Sequence, residues 1–226
     1  MAKKKLQRFA EVETFGNTFH LGYEESLLGH SLKGKWKKDF FKNDHPLVLE
    51  LGCGKGEYTV GLGQRFPEKN FLGIDVKGAR LWKGAKFAWE NNLKNIGFVR
   101  SRIDFIQSLF GSNEVDEIWI TFPDPQPQDS RENKRLTGPN FLVRYKTFLK
   151  AGGIVHLKTD NHGLFDYTVA LCNAVGNPIE FATNDLYAQS DDSNPTVLEA
   201  KSIQTYYEGK YLAKSITICY LKFRLA

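Results

Sequence analysis

Three glycines stand at alternate positions directly after a short apolar run. Residues 48–56 read Val-Leu-Glu-Leu-Gly-Cys-Gly-Lys-Gly, so the glycines are Gly52, Gly54 and Gly56. Glycine lets a backbone turn tightly and lets a ligand approach with no Cβ in the way. The N-terminal amides of a following helix would point at the same place. This spacing is typical of a pocket for a nucleotide-type cofactor.

The acid before these glycines favours a cofactor that carries positive charge. Glu50 lies where the pyrophosphate of a dinucleotide would be repelled, and Glu57 occupies the position at which the pattern G-x-G-x-x-G needs its third glycine. A carboxylate beside this turn suits the sulfonium and ammonium groups of S-adenosylmethionine better than it suits NAD. An ordinary strand–turn–helix connection is the alternative, since short motifs occur by chance.

Two further carboxylates follow predicted strands on the cofactor side. Asp75 ends the second strand, about twenty residues after the glycine loop, where a carboxylate can accept both ribose hydroxyls of an adenosine. Asp104 follows the third strand. It could cap the next short helix, or its loop could frame the adenine.

The sharpest candidate for catalysis follows the fourth predicted strand. Asp124 stands between two prolines, which stiffen the backbone and hold the carboxylate in place. A rigid acid at the end of a central strand, facing the glycine loop, is well placed for chemistry. A proline-rich structural turn is the alternative. In the polar stretch that follows, Arg131, Lys134 and Arg135 could meet phosphates.

Two later segments carry groups suited to recognising a base. Asp160 and Asn161 end the fifth predicted strand and could pair with a base edge, because Asp accepts while Asn both donates and accepts. They could instead cap the next helix. Residues 202–210 bring polar and aromatic side chains together, although alone they would pass as a surface turn.

Alternating apolar strands and helices must position these residues. The strands predicted from Pro46 onward cover 47–51, 70–74, 96–99, 115–121, 154–157, 179–181 and 216–221. The predicted helices cover 57–66, 79–93, 141–149 and 164–175, and Gly152 and Gly153 are expected to end the third of them. Residues 189–195 are predicted to form a polar loop. The alternation predicts an α/β fold with a largely parallel sheet covered on both faces. In such sheets ligands bind beyond the carboxyl ends of the strands.

The composition is that of a globular protein with a modest basic excess. The 226 residues are 41% hydrophobic and 25% charged, and the net charge is +5, which suits nucleic acid as well as simple solubility. Three widely spaced cysteines with no Cys/His cluster predict neither a disulfide framework nor a metal site. We therefore expect a reduced, cytoplasmic protein. No run approaches membrane-spanning length, so no membrane partner is expected.

Residues 1–45 differ in composition from the rest and are predicted to precede a catalytic domain at 46–226. Lysines alternate there with aromatic residues. The lysines of such a basic extension can contact nucleic-acid phosphates while its aromatic rings anchor it to a core or stack on bases. We expect it to contact RNA; a solvated extension with a short helix is the alternative.

Several motifs, in this order, resemble one family: the bacterial tRNA (guanine-N7)-methyltransferases, which modify the guanine at tRNA position 46. The glycine loop is shared by many methyltransferases, whereas the set FPDP, KTDN and TYYE is specific. The matching segments are KKLQRFA (4–10), LELGCGKGEY (49–58), NFLGIDVKGAR (70–80), FPDP (122–125), KRLT (134–137), FL-x-x-Y (141–145), KTDN (158–161) and TYYEGK (205–210).

The resemblance implies a Rossmann-like class I methyltransferase fold with a mostly parallel seven-stranded sheet and helices on both faces. It implies S-adenosylmethionine as methyl donor, S-adenosylhomocysteine as product, and tRNA as partner of a monomer or homodimer. The positions that it assigns to the cofactor are Glu50, Gly52, Gly54, Asp75, Asp104 and Asp124, of which Asp124 is also catalytic. The positions that it assigns to the substrate are Gln128, Asp160, Thr205, Tyr206, Tyr207 and Glu208.

One departure from the family concerns the loop after FPDP. Gln126 and Gln128 stand where many members carry Trp and Lys, which weakens the expected phosphate contact there more than it affects the reaction. Rival interpretations are a methyltransferase for another RNA or a small molecule, and a non-catalytic RNA-binding module that kept the fold. Glu57 in the third glycine position disfavours an NAD dehydrogenase.

Overall fold

The computed structural model describes residues 2–189 and 194–226, with side chains from Leu6 onward. Most of the polar loop predicted at 189–195 therefore lies outside the described residues. The chain divides into two compact units. The first runs to Glu117 and includes Thr147–Lys150, and the second comprises Ile118–Lys146 and Ala151–Ala226.

The described residues form eight strands, one more than the seven predicted. The strands are β1 (Thr18–His20), β2 (Leu47–Leu51), β3 (Asn70–Asp75), β4 (Ile96–Arg100), β5 (Val115–Thr121), β6 (Leu149–Thr159), β7 (Ile179–Thr183) and β8 (Cys219–Arg224). The α-helices are α1 (Ala2–Val12), α2 (Tyr23–Leu28), α3 (Glu57–Arg65), α4 (Gly78–Glu90), α5 (Pro139–Lys146), α6 (His162–Val175), α7 (Pro195–Lys201) and α8 (Tyr206–Leu212). A π-helix covers Trp36–Phe41, and 3-10 helices cover Ile103–Ser108 and Asp129–Lys134. Within the described ranges, no helix is long and apolar enough to cross a membrane.

In the first unit the strands lie in the order β1-β4-β3-β2, and the three pairs are parallel. All of β2 is buried, as is most of β3. A nearly continuous apolar run is what a parallel strand needs when helices cover both of its faces. Because the strands are parallel, the segments that follow β2, β3 and β4 all leave the same edge of the sheet.

The segment predicted as an N-terminal extension is built into the first unit. The side chain of Val12 packs in a buried cluster with Leu81 of α4, and Trp82 donates its indole N–H to Glu11 at 2.8 Å. Trp36 is fully buried. β1 is the strand that the sequence did not predict, and it lies at the edge of the sheet beside β4. The RNA-contacting role of residues 1–45 stays a prediction.

In the second unit the strand order is β5-β6-β8-β7, and β8 is antiparallel to both of its neighbours. Aromatic side chains fill its interior. The His156 ring stacks on Trp119 at a centroid distance of 3.8 Å, and its Nδ1 lies 2.7 Å from the Tyr220 hydroxyl. This packing holds β6 in place against its two neighbouring strands.

The boundary between α5 and β6 differs from the prediction. The helix predicted over 141–149 ends at Lys146, and β6 begins at Leu149 rather than at residue 154. The glycine pair expected to end the helix lies inside the strand, where Gly152 has a φ of +67°. Glycine accepts that conformation without a steric penalty, so it marks an irregularity in the strand.

Candidate active site

The loop after β2 is held by the end of β3 and leaves space beside its backbone. Gly52 and Gly54 have φ values of +76° and +56°. The Gly52 N–H donates to the Ile74 carbonyl at 2.8 Å, and the Gly54 N–H donates to Asp75 Oδ2 at 2.9 Å. A Cβ added to Gly52 would meet no described atom within 4 Å. The backbone can therefore be approached closely by a ligand, as the motif predicts.

The third glycine and the preceding acid fix the start of α3. A Cβ on Gly56 would lie 2.6 Å from the Phe98 ring, so a larger residue cannot be accommodated without a shift. Glu50 is buried and accepts hydrogen bonds through Oε2 from the Thr59 N–H at 2.8 Å and from the Thr59 hydroxyl. A carboxylate is favoured at a helix N-terminus. Its contact with a cofactor stays a prediction.

Asp75 is half-buried at the end of β3, and both of its oxygens already order the backbone. Oδ2 accepts from Gly54, and Oδ1 accepts from the Lys77 N–H at 2.7 Å. A carboxylate offers about four lone-pair sites. Two acceptor lone pairs of Asp75 therefore remain for the predicted contact with a ribose. The position of the side chain is already set by its hydrogen bond to the glycine loop.

One interpretation of the sequence, in which Asp104 caps the next short helix, is wrong. Arg102 occupies the N-cap position, and Asp104 is exposed in the first turn, where its Oδ2 lies 3.0 Å from Arg102 Nη2. A cavity of about 160 Å³ opens beside the ends of β3 and β4, lined in part by Val76, Ser101 and Phe105. The contact of Asp104 and its loop with an adenine stays a prediction.

In the second unit, the loop after β5 has a strained backbone. Phe122 and Gln126 have φ values of +49° and +46° although neither is glycine, which costs about 1–3 kcal/mol for each residue. The Phe122 N–H donates to the Lys158 carbonyl at 2.7 Å. Between them Asp124 is exposed, and its Oδ1 accepts from the Gln126 N–H at 3.2 Å. Strain of this kind concentrates at functional sites.

Arg135 stabilises the strained loop. The sequence suggested that Arg135 could meet phosphates, and the structure corrects that role. Its side chain is buried, with 8% exposure. Nε donates to the Gln126 carbonyl at 3.1 Å, and Nη2 donates to the Pro127 carbonyl at 3.4 Å. The guanidinium carbon lies 4.3 Å from the centre of the Tyr167 ring. Arg135 therefore clamps the loop that carries Asp124.

Three segments converge within the second unit: the loop after β5, the end of β6 and the start of α8. The Phe122 ring lies 6.0 Å from the ring of Tyr211 on α8. Burial raises the pKa of Tyr211, and the charge of nearby Asp160 adds to the effect. Asn161 caps α6 through its side chain, which accepts from the Leu164 N–H at 2.8 Å. The capping interpretation is thus confirmed for Asn161, whereas Asp160 lies close to α8.

The exposed start of α8 forms an aromatic surface, which we call the tyrosine pair. Tyr206 and Tyr207 are 52% and 50% exposed, with ring centroids 5.6 Å apart. The Lys210 ammonium lies 4.4 Å from the centre of the Tyr206 ring. Aromatic faces beside a cation are the combination that binds unpaired bases and their phosphates.

The side chain of Glu208 is fully buried, and its predicted contact with the substrate stays a prediction. Its Oε1 lies 2.6 Å from Lys158 Nζ and accepts from the Tyr187 hydroxyl at 2.8 Å. Thr205 and Glu208 form a capping box that begins α8. Gln128 is exposed just before the second 3-10 helix, and its substrate contact stays a prediction.

The chain matches the family model described as "Putative methyltransferase" over residues 44–221. It is 50% identical over 225 residues to the tRNA (guanine-N(7)-)-methyltransferase of Christiangramia forsetii, covering 99% of each chain. It is 47% identical over 226 residues to that of Bacteroides thetaiotaomicron, covering 100% of this chain and 87% of the other. The chain belongs to the tRNA (guanine-N(7)-)-methyltransferase family.

The fold of this family member agrees with that of more distant methyltransferases. The solved 16S rRNA methyltransferase KamB superimposes with a TM-score of 0.61 at 12% identity, over 84% of this chain and 92% of KamB. Similarity at that level concerns the fold, and it confirms the predicted class I methyltransferase architecture. The glycine loop and Asp75 have the geometry that the predicted donor, S-adenosylmethionine, needs.

The sequence did not predict the buried residues that support the candidate site. In the KTDN segment, the sequence predicts roles for Asp160 and Asn161 and none for Lys158. A lysine inside an otherwise apolar strand is a signal that could have found it, because a buried ammonium needs partners. Tyr187 and the clamping role of Arg135 carry no comparable local signal.

Proposed function

We propose that the protein transfers the methyl group of S-adenosylmethionine to N7 of a guanine in tRNA, at position 46 of the variable loop. The observation that carries the proposal is the convergence, within one compact unit, of the strained loop that carries Asp124, the end of β6 at Asp160, and α8, which carries the tyrosine pair. The full-length similarity to chains named for this activity supports the same substrate.

The first unit supplies the groups that hold the donor. When bound, S-adenosylmethionine supplies an electrophilic methyl group on a positively charged sulfur. The open space beside Gly52 accepts the chain of the cofactor, and Asp75 accepts the ribose hydroxyls with its remaining lone pairs. The buried carboxylate of Glu50 gives this region the negative charge that a sulfonium and an ammonium favour.

The second unit supplies the groups that hold the acceptor. N7 of guanine already carries a lone pair, so the reaction needs no general base, and the task of the protein is alignment. Asp124 accepts hydrogen bonds from the N1–H and N2–H edge of the guanine. Its negative charge also stabilises the positive charge that develops on the ring. Because its loop is clamped by Arg135, little reorganisation is needed when the base arrives.

Contacts with the rest of the tRNA come from exposed aromatic and basic side chains. The tyrosine pair stacks on bases that leave the helical stack, and Lys210 meets a phosphate. In the N-terminal segment Lys33, Lys35 and Lys38 are exposed, and they compensate for the lysine that Gln128 replaces. Lys37 instead pairs with Asp116 at 2.9 Å.

Methyl transfer to two tRNA transcripts tests the proposal. One transcript carries guanine at position 46 and the other carries adenine there. We expect labelled methyl to enter the first and not the second. Equal labelling of both would favour a methyltransferase for another site in RNA. If neither is labelled, calorimetry with S-adenosylmethionine separates a different acceptor, which leaves binding intact, from a non-catalytic module, which does not bind.

A further inference from the structure

A fully buried ion pair joins the end of β6 to α8. The Lys158 ammonium lies 2.6 Å from Glu208 Oε1, and neither side chain has any exposed surface. Nζ also donates to the carbonyl oxygens of Ala200 at 2.7 Å and Ile203 at 3.1 Å. An ammonium has three N–H donors, and these three acceptors match them. Burial lowers the pKa of Lys158, and the charge of Glu208 opposes that effect.

The two partners of this pair contact the strained loop and α8, and one of them adjoins Asp160 in the sequence. The main-chain carbonyl of Lys158 accepts from the Phe122 N–H at 2.7 Å, at the start of the strained loop. Lys158 also lies two residues before Asp160. Glu208 accepts from the Thr205 N–H at 3.2 Å through Oε2, which fixes the N-cap residue of α8 directly before the tyrosine pair.

A buried ion pair contributes little net stability to a protein interior. Replacing a buried ion pair by apolar residues of similar volume is often neutral or stabilising, whereas removing one partner is strongly destabilising. The pair therefore serves the geometry of the surfaces that it connects rather than net stability. Those surfaces are the exposed groups at which the base and the RNA bind.

We propose that Lys158 is the positioning residue of the acceptor site. Acting through Glu208, its ammonium sets where the tyrosine pair stands relative to Asp160, while its carbonyl sets the start of the Asp124 loop. The identity of the ligand rests on the proposed function, whereas the coupling between β6 and α8 does not.

Hydrogen–deuterium exchange tests the coupling without any RNA. In Lys158→Met, we expect amides in peptides covering residues 203–212 to exchange about tenfold faster. That factor corresponds to a free energy of local opening that is about 1.4 kcal/mol lower. Peptides covering residues 47–65 should be unchanged. Glu180→Gln is the matched control, because it breaks another ion pair of the second unit, with Lys222 at 3.3 Å. Unchanged exchange at 203–212 in Lys158→Met would overturn the proposal.

Steady-state kinetics test the consequence for the substrate. Lys158→Met should raise KM for tRNA by about tenfold and leave KM for S-adenosylmethionine within about twofold. A merely structural role would lower the amount of active enzyme and leave both KM values as they are, which contradicts positioning. If Lys158→Met does not fold, Glu208→Gln carries both tests, since glutamine retains the capping geometry at that position. If the wild-type protein does not methylate tRNA, the proposed function fails while the exchange experiment still decides the coupling.

Discussion

Arg135 restrains Gln126: its guanidinium Nε donates to the Gln126 carbonyl oxygen at 3.1 Å, and the Gln126 backbone lies in the left-handed region at φ +46°. A strained non-glycine residue persists only where its surroundings over-determine it. The contact explains how the exposed carboxylate of Asp124, which we propose as the catalytic group, can be held on a loop without being buried.

Removing this clamp should impair catalysis more than folding. We expect Arg135→Met to lower kcat about 10- to 100-fold, because small misplacements of a catalytic group are costly. Arg135→Lys should recover little, since an ammonium cannot reproduce the guanidinium fork. Arg224→Met is the control: it breaks an arginine–carbonyl contact in the same unit, at 2.7 Å to Gly152, and should leave kcat unchanged. Equal kcat losses in the Arg135 and Arg224 variants would argue against a specific clamp.

The glycine loop should show its function through a pair of matched substitutions. Gly52 and Gly176 have φ values of +76° and +73°, and an added Cβ would meet no described atom within 4 Å at either. Alanine should therefore cost about 1–2 kcal/mol of stability at both sites. Calorimetry should show at least about tenfold weaker S-adenosylmethionine binding in Gly52→Ala alone. Unchanged affinity in that variant would exclude a close approach of the cofactor at Gly52.

Stability in acid should depend on Asp116 in the first unit. Its Oδ2 accepts from Lys37 Nζ at 2.9 Å and from the Leu47 N–H at 2.8 Å, and Oδ1 pairs with Lys150. Burial acts to raise the pKa of Asp116, but the hydrogen bonds from Lys150, Leu47 and Lys37 together outweigh it and hold the pKa below its usual range. A depressed carboxyl pKa contributes stability above the unfolded value, near 4, and loses that contribution as pH falls through the folded value.

Urea unfolding of Asp116→Asn at two pH values checks this expectation. At pH 7 the variant should be less stable than the wild type by about 1.5–3 kcal/mol, the range for hydrogen bonds to a charged group. Below the folded pKa the difference should shrink towards zero. A difference that stays constant down to pH 3 would mean that the carboxylate charge contributes nothing.

Asp124 should be needed for turnover and not for folding, because it is exposed. We expect Asp124→Asn to lower kcat/KM for tRNA about 100- to 1000-fold, the loss typical of one group that stabilises a developing charge. S-adenosylmethionine affinity and Tm should stay close to wild type. Asp166→Asn, which removes another exposed carboxylate of the second unit, is the control and should retain activity. Near-normal turnover in Asp124→Asn would remove this residue from the mechanism.

The sequence predicted the structure best where a residue type or an apolar run is compatible with only one local conformation. The predicted bounds of β2 and β5 agree with the structure, because apolar runs between turn signals leave a buried strand as the simplest solution. The positive φ values of Gly52 and Gly54 follow in the same way. By contrast, Gly152 was expected to end a helix, although glycine in a strand is equally able to mark an irregularity.

Long-range contacts account for what could not be predicted. The N-terminal residues are basic in sequence, yet Trp36 is buried in the first unit and Lys37 is held by Asp116. Glu208 looked like a surface acid beside two tyrosines, and its burial depends on Lys158, fifty residues earlier in the chain. Pairings of this kind are set by the fold, which a local pattern does not encode.

The most direct test of the proposed activity is the position of the methyl group. Unmodified tRNA is incubated with the protein and S-adenosylmethionine, treated with borohydride and aniline, and analysed for strand cleavage. The proposal predicts a single new cleavage at guanine 46, which is lost when Asp124 is replaced. Cleavage at another guanine, or methylated tRNA that resists cleavage, would contradict N7 methylation at that position.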